Sequence, residues 1–175
     1  MLQVRQMVRV AMLSAIGIIL FYFVAFPLPF FPEFLTYDAG DIPGMVAAFV
    51  MGPWLAVLIQ FLKAFLGLLI GASKAGWIGA TANFIAGGTM VLVSGLIYAR
   101  HKSKGNAIIS LIAGSLVTAG VMGAVNYYWL FPLWGIPQNQ LMPMLVGATL
   151  PFNFVKFIIS SIVTFLLYKK VRHLL

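Results

Sequence analysis

The chain has 175 residues, of which 62% are hydrophobic and 8% charged, and it carries a formal net charge of +8. That composition excludes a soluble domain and fits a single domain over residues 1–175, one compact bundle of helices in a lipid bilayer. The basic balance, which in a soluble chain points to nucleic acid, is set here by the ends of spans and names no such partner, and the lack of cysteine removes disulfides and thiolate chemistry.

A helix that crosses a bilayer needs about 20 apolar residues. The first such stretch, 8–27, follows Arg5 and Arg9 and runs on without a small-residue cleavage site, so it reads as a retained span rather than a signal peptide. The loop after it, 27–41, contains Pro27, Pro29, Phe30, Phe31, Pro32, Phe34 and Tyr37 and all three acids, Glu33, Asp38 and Asp41. Two readings stand for it: a stiff lid packed over the helix ends, or a connector whose acids avoid the inner side. The next apolar stretch, 42–71, is too long for one span and breaks at Gly52-Pro53, which predicts a short helix over 42–51 and a longer one over 53–71. A half-length helix beside a break often marks a binding site. Spans over 78–99, 106–130 and 147–168 complete an all-α integral membrane protein of six helices with a short second helix and a proline-rich outer loop.

Orientation follows from the basic residues. With both termini cytoplasmic, Arg5, Arg9, Arg100, Lys102, Lys104, Lys169, Lys170 and Arg172 lie inside and Lys74 alone lies in an outer loop, which satisfies the positive-inside rule. Lys63 and Lys156 remain within spans. An ionisable group in hydrocarbon costs roughly 2.5–3.5 kcal/mol or more, so each needs a reason. Asn153 and Lys156, three apart, share a helix face and together read as a ligand contact, against the alternative that the lysine snorkels to the interface. Lys63 must pair with a carbonyl, with a loop carboxylate such as Asp38 or Asp41, or with a ligand. Asn83 and Asn126 fit interhelical hydrogen bonds as well as ligand contacts.

Small residues add a second pattern. Ala11 and Ala15 form a small-x-x-x-small pair on the first helix, open to internal packing or to a partner surface, and glycines from Gly67 to Gly123 permit close helix contact in the others. Trp54, Trp77, Trp129 and Trp134 fall near span ends and fit interfacial belts. There is no Gly-x-x-x-x-Gly-Lys-Ser/Thr loop for ATP, and His101 and His173 sit in basic clusters, so neither nucleotide hydrolysis nor a metal site is expected. With no acid, base and nucleophile set either, the chain reads as a non-enzyme without a cofactor, built to bind and translocate a small molecule.

The run Asp38-Ala39-Gly40-Asp41-Ile42-Pro43, then Gly52-Pro53, Lys63, Gly71-Ala72-Ser73, Gly76, Ala82-Asn83-Phe84-Ile85-Ala86-Gly87, Asn126-Tyr127 and Pro151-Phe152-Asn153-Phe154-Val155-Lys156 resembles the riboflavin-binding S components of energy-coupling factor (ECF) transporters. The resemblance runs from about Arg5 to Tyr168. It implies a six-helix protein of the bacterial cell membrane that captures a vitamin from outside, with a transmembrane T subunit and two cytoplasmic ATPases as partners. It further implies that Asn126, Asn153 and Lys156 meet the polar edge of riboflavin, with Asn83 among the binding residues. In the same way the loop around Tyr37 and Asp38 closes the pocket, and Ala11 and Ala15 pack on the T subunit. S components for cobalamin, folate or pantothenate, a solitary facilitator and a structural membrane subunit are the competing expectations.

Overall fold

The computed structural model describes residues 3–171; Arg172 and His173, assigned above to the basic end, lie outside the described residues. Six helices form the bundle. They are α1 (Val4–Phe23), α2 (Asp41–Val50), α3 (Pro53–Leu69), α4 (Gly76–Arg100), α5 (Lys104–Leu133) and α6, which runs from Gln138 to Val171. α1, α4, α5 and α6 are long and apolar enough to cross a membrane. α3 is shorter, and α2, with 10 residues at 1.5 Å each, extends only about 15 Å, half the thickness of a hydrocarbon core.

The break at Gly52-Pro53 occurs as expected. Gly52 has φ of 100°, a conformation open to glycine at little cost, and Pro53 opens α3 at a position where a missing N–H costs nothing. The expected first span, 8–27, has the right length but sits four residues too late in the chain. α1 stops at Phe23, and Ala25–Pro27 (β1) pairs antiparallel with Thr36–Asp38 (β2), joining Ala25 to Asp38, Phe26 to Tyr37 and Pro27 to Thr36. Hydropathy does not separate this apolar strand from the end of an apolar helix, whereas pairing with β2 satisfies its backbone in extended form. The loop is therefore a hairpin, and it turns inward: every residue from Tyr37 to Phe49 is buried. α2 also starts one residue earlier than expected, at Asp41, so a carboxylate opens a helix inside the bundle, where the positive end of the helix dipole favours it.

α5 and α6 extend beyond their expected limits of 106–130 and 147–168, and each contains a π-helical turn, Asn126–Leu130 in α5 and Leu145–Thr149 in α6. In α6 the turn lies between Pro143 and Pro151, two residues without an N–H for the regular helical ladder. Such single wide turns are rare and concentrate at functional sites. The α4–α5 connection is closed by Asn106, whose amide donates to the carbonyls of Ile97 and His101, both at 2.8 Å.

Close packing depends on a few glycines. A Cβ on Gly40 would lie 2.7 Å from the backbone oxygen of Gly17, and one on Gly87 would lie 2.6 Å from a carboxylate oxygen of Asp41. These absences bring α1 and α4 against the start of α2. The main core is built around Met45, Ile59, Met90, Val91, Leu130 and Phe157. A smaller cluster of Tyr37, Ala39, Ile42 and Val46 seats the hairpin.

Candidate functional site

Four charged side chains from four segments meet where the hairpin enters the bundle. Asp38 comes from β2, Asp41 from the start of α2, Lys63 from α3 and Lys156 from α6. Lys63 Nζ lies 2.5 Å from Asp41 Oδ1 and 3.7 Å from Asp38 Oδ1. Lys156 Nζ lies 2.7 Å from Asp38 Oδ2 and 3.0 Å from Asp41 Oδ2. Each carboxylate thus faces both ammonium groups, and two positive charges balance two negative ones. All four are buried, with Lys63 and Asp41 at 0% exposure. A lone charge in such surroundings is prohibitively costly, so the members exist as a set.

Neutral groups complete the polar centre. Asn83 on α4 donates from Nδ2 to Asp38 Oδ2 at 2.9 Å, and Gln60 on α3 donates from Nε2 to the Asp41 carbonyl at 3.1 Å. Asp38 Oδ1 also accepts from the backbone N–H of Gly40. Burial pushes the Asp38 carboxyl up, but the ammonium groups of Lys156 and then Lys63 outweigh it and hold the group down at about 2.

Lys63 therefore has a loop carboxylate for a partner, one of the three options its sequence position left open. Lys156 does not snorkel; its ammonium is held inside by two acids. Asn153, three residues before it on the same helix, donates from Nδ2 to the carbonyl of Thr149 at 2.9 Å, within the π-helical turn of α6. Asn126 does the equivalent on α5, donating to the Met122 carbonyl at 2.7 Å as it enters the other π-helical turn. Both asparagines are 5% exposed. Asp41 and Gln60 were absent from the expected site. Gln60 stands three residues before Lys63 on the same face of an apolar helix, the spacing that singles out Asn153 and Lys156.

The hairpin is docked on α6 and on the α5–α6 connection. The Phe31 ring meets Phe152 edge-on at 5.5 Å between centroids, and Phe34 meets Trp134 at 5.8 Å. Below them the Ser160 hydroxyl donates to the Tyr37 hydroxyl at 3.4 Å. Trp134 is half-buried against Phe34, while Trp54, Trp77 and Trp129 are exposed as a belt requires. On α1, Ala11 and Ala15 lie on the exposed side, and Val10, Leu13, Ser14, Gly17 and Phe21 face inward. The pair is not an internal packing contact.

The family model described as "ECF transporter, substrate-specific component" matches residues 5–168. The Staphylococcus aureus (strain TCH60) protein named "Riboflavin transporter RibU" is 35% identical over 100% of this chain and 94% of its own length. The Bacillus subtilis (strain 168) protein named "Riboflavin transporter FmnP" is 29% identical over 98% of this chain and 94% of its own. A solved structure described as "Structure and mechanism of the S component of a bacterial ECF transporter" superposes with a TM-score of 0.85 at 34% identity, covering 97% of this chain and 96% of that one.

Proposed function

This chain belongs to the substrate-specific components of ECF transporters, and we propose that it captures riboflavin at the outer face of a bacterial cell membrane for uptake. The observation that carries the choice of vitamin is the end-to-end 35% identity to a relative named as a riboflavin transporter. The polar centre supports it. An isoalloxazine ring presents carbonyl and imide groups along one edge and broad apolar faces elsewhere. The amides of Asn126 and Asn153 each keep a second N–H and an acceptor oxygen beyond their helix contacts, and the Lys156 ammonium has a third N–H beyond its two carboxylates. Asp38, held by Asn83 on α4, keeps the Lys156 ammonium in place, and Asp38 and Tyr37 close the site from the hairpin side.

Transport, in this reading, requires a transmembrane T subunit and two cytoplasmic ATPases, with Ala11 and Ala15 on the exposed side of α1 as the contact. Both termini are cytoplasmic. Arg5, Arg9, Arg100, Lys102, Lys104 and Lys170 gather at one end of the helices, and Lys74 stands at the other, as the positive-inside rule asks. The chain itself is a carrier of its ligand and performs no catalysis.

The test is titration of purified, ligand-free protein with riboflavin, read by quenching of flavin fluorescence. One-to-one quenching is expected. No quenching by riboflavin, with binding of another vitamin, would leave the family standing and overturn the choice of ligand.

A further inference from the structure

Lys63 is a buried cation that the capture of a flavin does not use. Its ammonium is fully enclosed, against Asp41 and Asp38 and 5.3 Å from the centre of the Phe21 ring. Asp41 is equally enclosed. We infer that Asp41 and Lys63 are positioning residues whose joint task is to hold the buried cluster at zero net charge, so that the contact between Lys156 and Asp38 persists and keeps the hairpin on α6. The inference uses the flavin reading only for its ligand measurement.

With all four members present the sum is zero. Removing Lys63 leaves two carboxylates against one ammonium, and removing the Asp41 charge leaves two ammonium groups against one carboxylate. Either single loss strands a unit charge where water cannot reach it, the change that makes breaking a buried ion pair so costly. Removing both leaves Asp38 and Lys156, 2.7 Å apart, as a neutral pair. Residues that act through separate packing contacts would show losses that add, whereas residues joined by charge balance would compensate. The neighbouring elements offer no other counter-charge. Tyr37 on β2 is the remaining titratable group at the cluster; α1 presents Gly17 and Phe21, α4 presents Asn83 and Gly87, and α5 carries no charge beyond Lys104 at its basic end.

The experiment compares Lys63→Met, Asp41→Asn, the double variant and Lys63→Arg with the parent protein. Thermal unfolding midpoints in detergent, riboflavin dissociation constants and release rates are measured at pH 8 and pH 5. Lys63→Met is expected to weaken binding about tenfold or more, to speed release and to lower the midpoint. Its deficit shrinks at pH 5, because protonation of an uncompensated carboxylate replaces the missing positive charge. The double variant returns to within about threefold of the parent at both pH values, and Lys63→Arg, which keeps the charge, stays near it. A double variant no better than Lys63→Met, or a Lys63→Met deficit equal at both pH values, overturns the inference. If the single variants cannot be recovered folded, recovery of the double supports charge balance and its equal failure refutes it. Should the parent bind no riboflavin, the flavin reading falls, and the unfolding midpoints still decide the question of charge.

Discussion

The ammonium of Lys156 stands 2.7 Å from the carboxylate of Asp38, a residue 118 positions away in the chain, and so ties the hairpin to α6. That contact makes one side chain serve two ends. It holds a cation three residues from Asn153 on α6, and it ties the hairpin to that helix.

Substitution at Lys156 and at Asn153 should therefore differ in kind. Asn153→Leu gives up a bond to the Thr149 carbonyl and a ligand partner, so riboflavin affinity should fall by about 1–3 kcal/mol with little change in the unfolding midpoint. Lys156→Leu also strands Asp38 and Asp41 with a single lysine between them, and loss of one partner of a buried pair costs about 3–5 kcal/mol. Its midpoint should drop sharply along with its affinity. Parallel flavin titrations and thermal melts in detergent separate the two, and equal midpoints would show that the acids do not depend on Lys156.

Glycine substitution probes how the cluster is enclosed. A Cβ at Gly40 would lie 2.7 Å from the Gly17 backbone oxygen and 2.9 Å from the Phe21 Cβ, neither of which can turn aside as a long side chain does. Gly40→Ala should cost about 1–3 kcal/mol through overpacking. At Gly120, also within the bundle helices, no atom lies within 4 Å of the added Cβ, so Gly120→Ala should be neutral or gain up to about 1 kcal/mol from helix propensity. Unfolding midpoints of the two variants supply the comparison.

These relationships were unevenly legible in the sequence. The break at Gly52-Pro53 was readable because proline acts locally on its own helix, and the need of Lys63 for some partner, a loop carboxylate among the options, because a buried charge must be balanced by something. The end of α1 at Phe23 was not, since Ala25–Pro27 is as apolar as the helix before it and is a strand only because β2 pairs with it. The π-helical turn of α6 lies between Pro143 and Pro151, and spacing alone does not encode how the helix passes two residues without an N–H. The Asp38 contact of Lys156 was hidden for a related reason. An acid in an outer loop looks solvated until the hairpin is seen to turn inward.

The pH dependence of the parent protein follows from Asp38. Its carboxyl is held down at about 2 from the ordinary 3.8, chiefly by Lys156 and Lys63 acting against burial. A depressed carboxylate pKa contributes stability that is complete above the ordinary value and is lost as pH falls through the lowered one. Between pH 8 and pH 5 the unfolding midpoint should therefore show no acid-induced loss from this group, with decline confined to the region below about 4. Melts across that range check it, and a decline centred near pH 6 would mean that another group governs the hairpin.

The exposed face of α1 separates binding from transport. Ala11 and Ala15 lie on the outside of the bundle, away from the inward row of Val10, Leu13, Ser14, Gly17 and Phe21, so an indole at either position is carried on the exposed side of α1. Riboflavin binding by the isolated variants should match the parent within about twofold, because surface changes away from packed contacts rarely exceed 0.5 kcal/mol or so. Association with a T subunit is another matter. Helix contact in a membrane depends on close backbone approach over small side chains, with no hydrophobic gain to replace it, and an indole at either position holds the partner off. Co-purification with the T subunit and ATPases, and ATP-dependent uptake in reconstituted vesicles, should both fail while flavin titration stays intact. Full uptake by both tryptophan variants would remove this face from the interface, and uptake by the chain alone without ATP would replace the partner-driven mechanism with a solitary carrier.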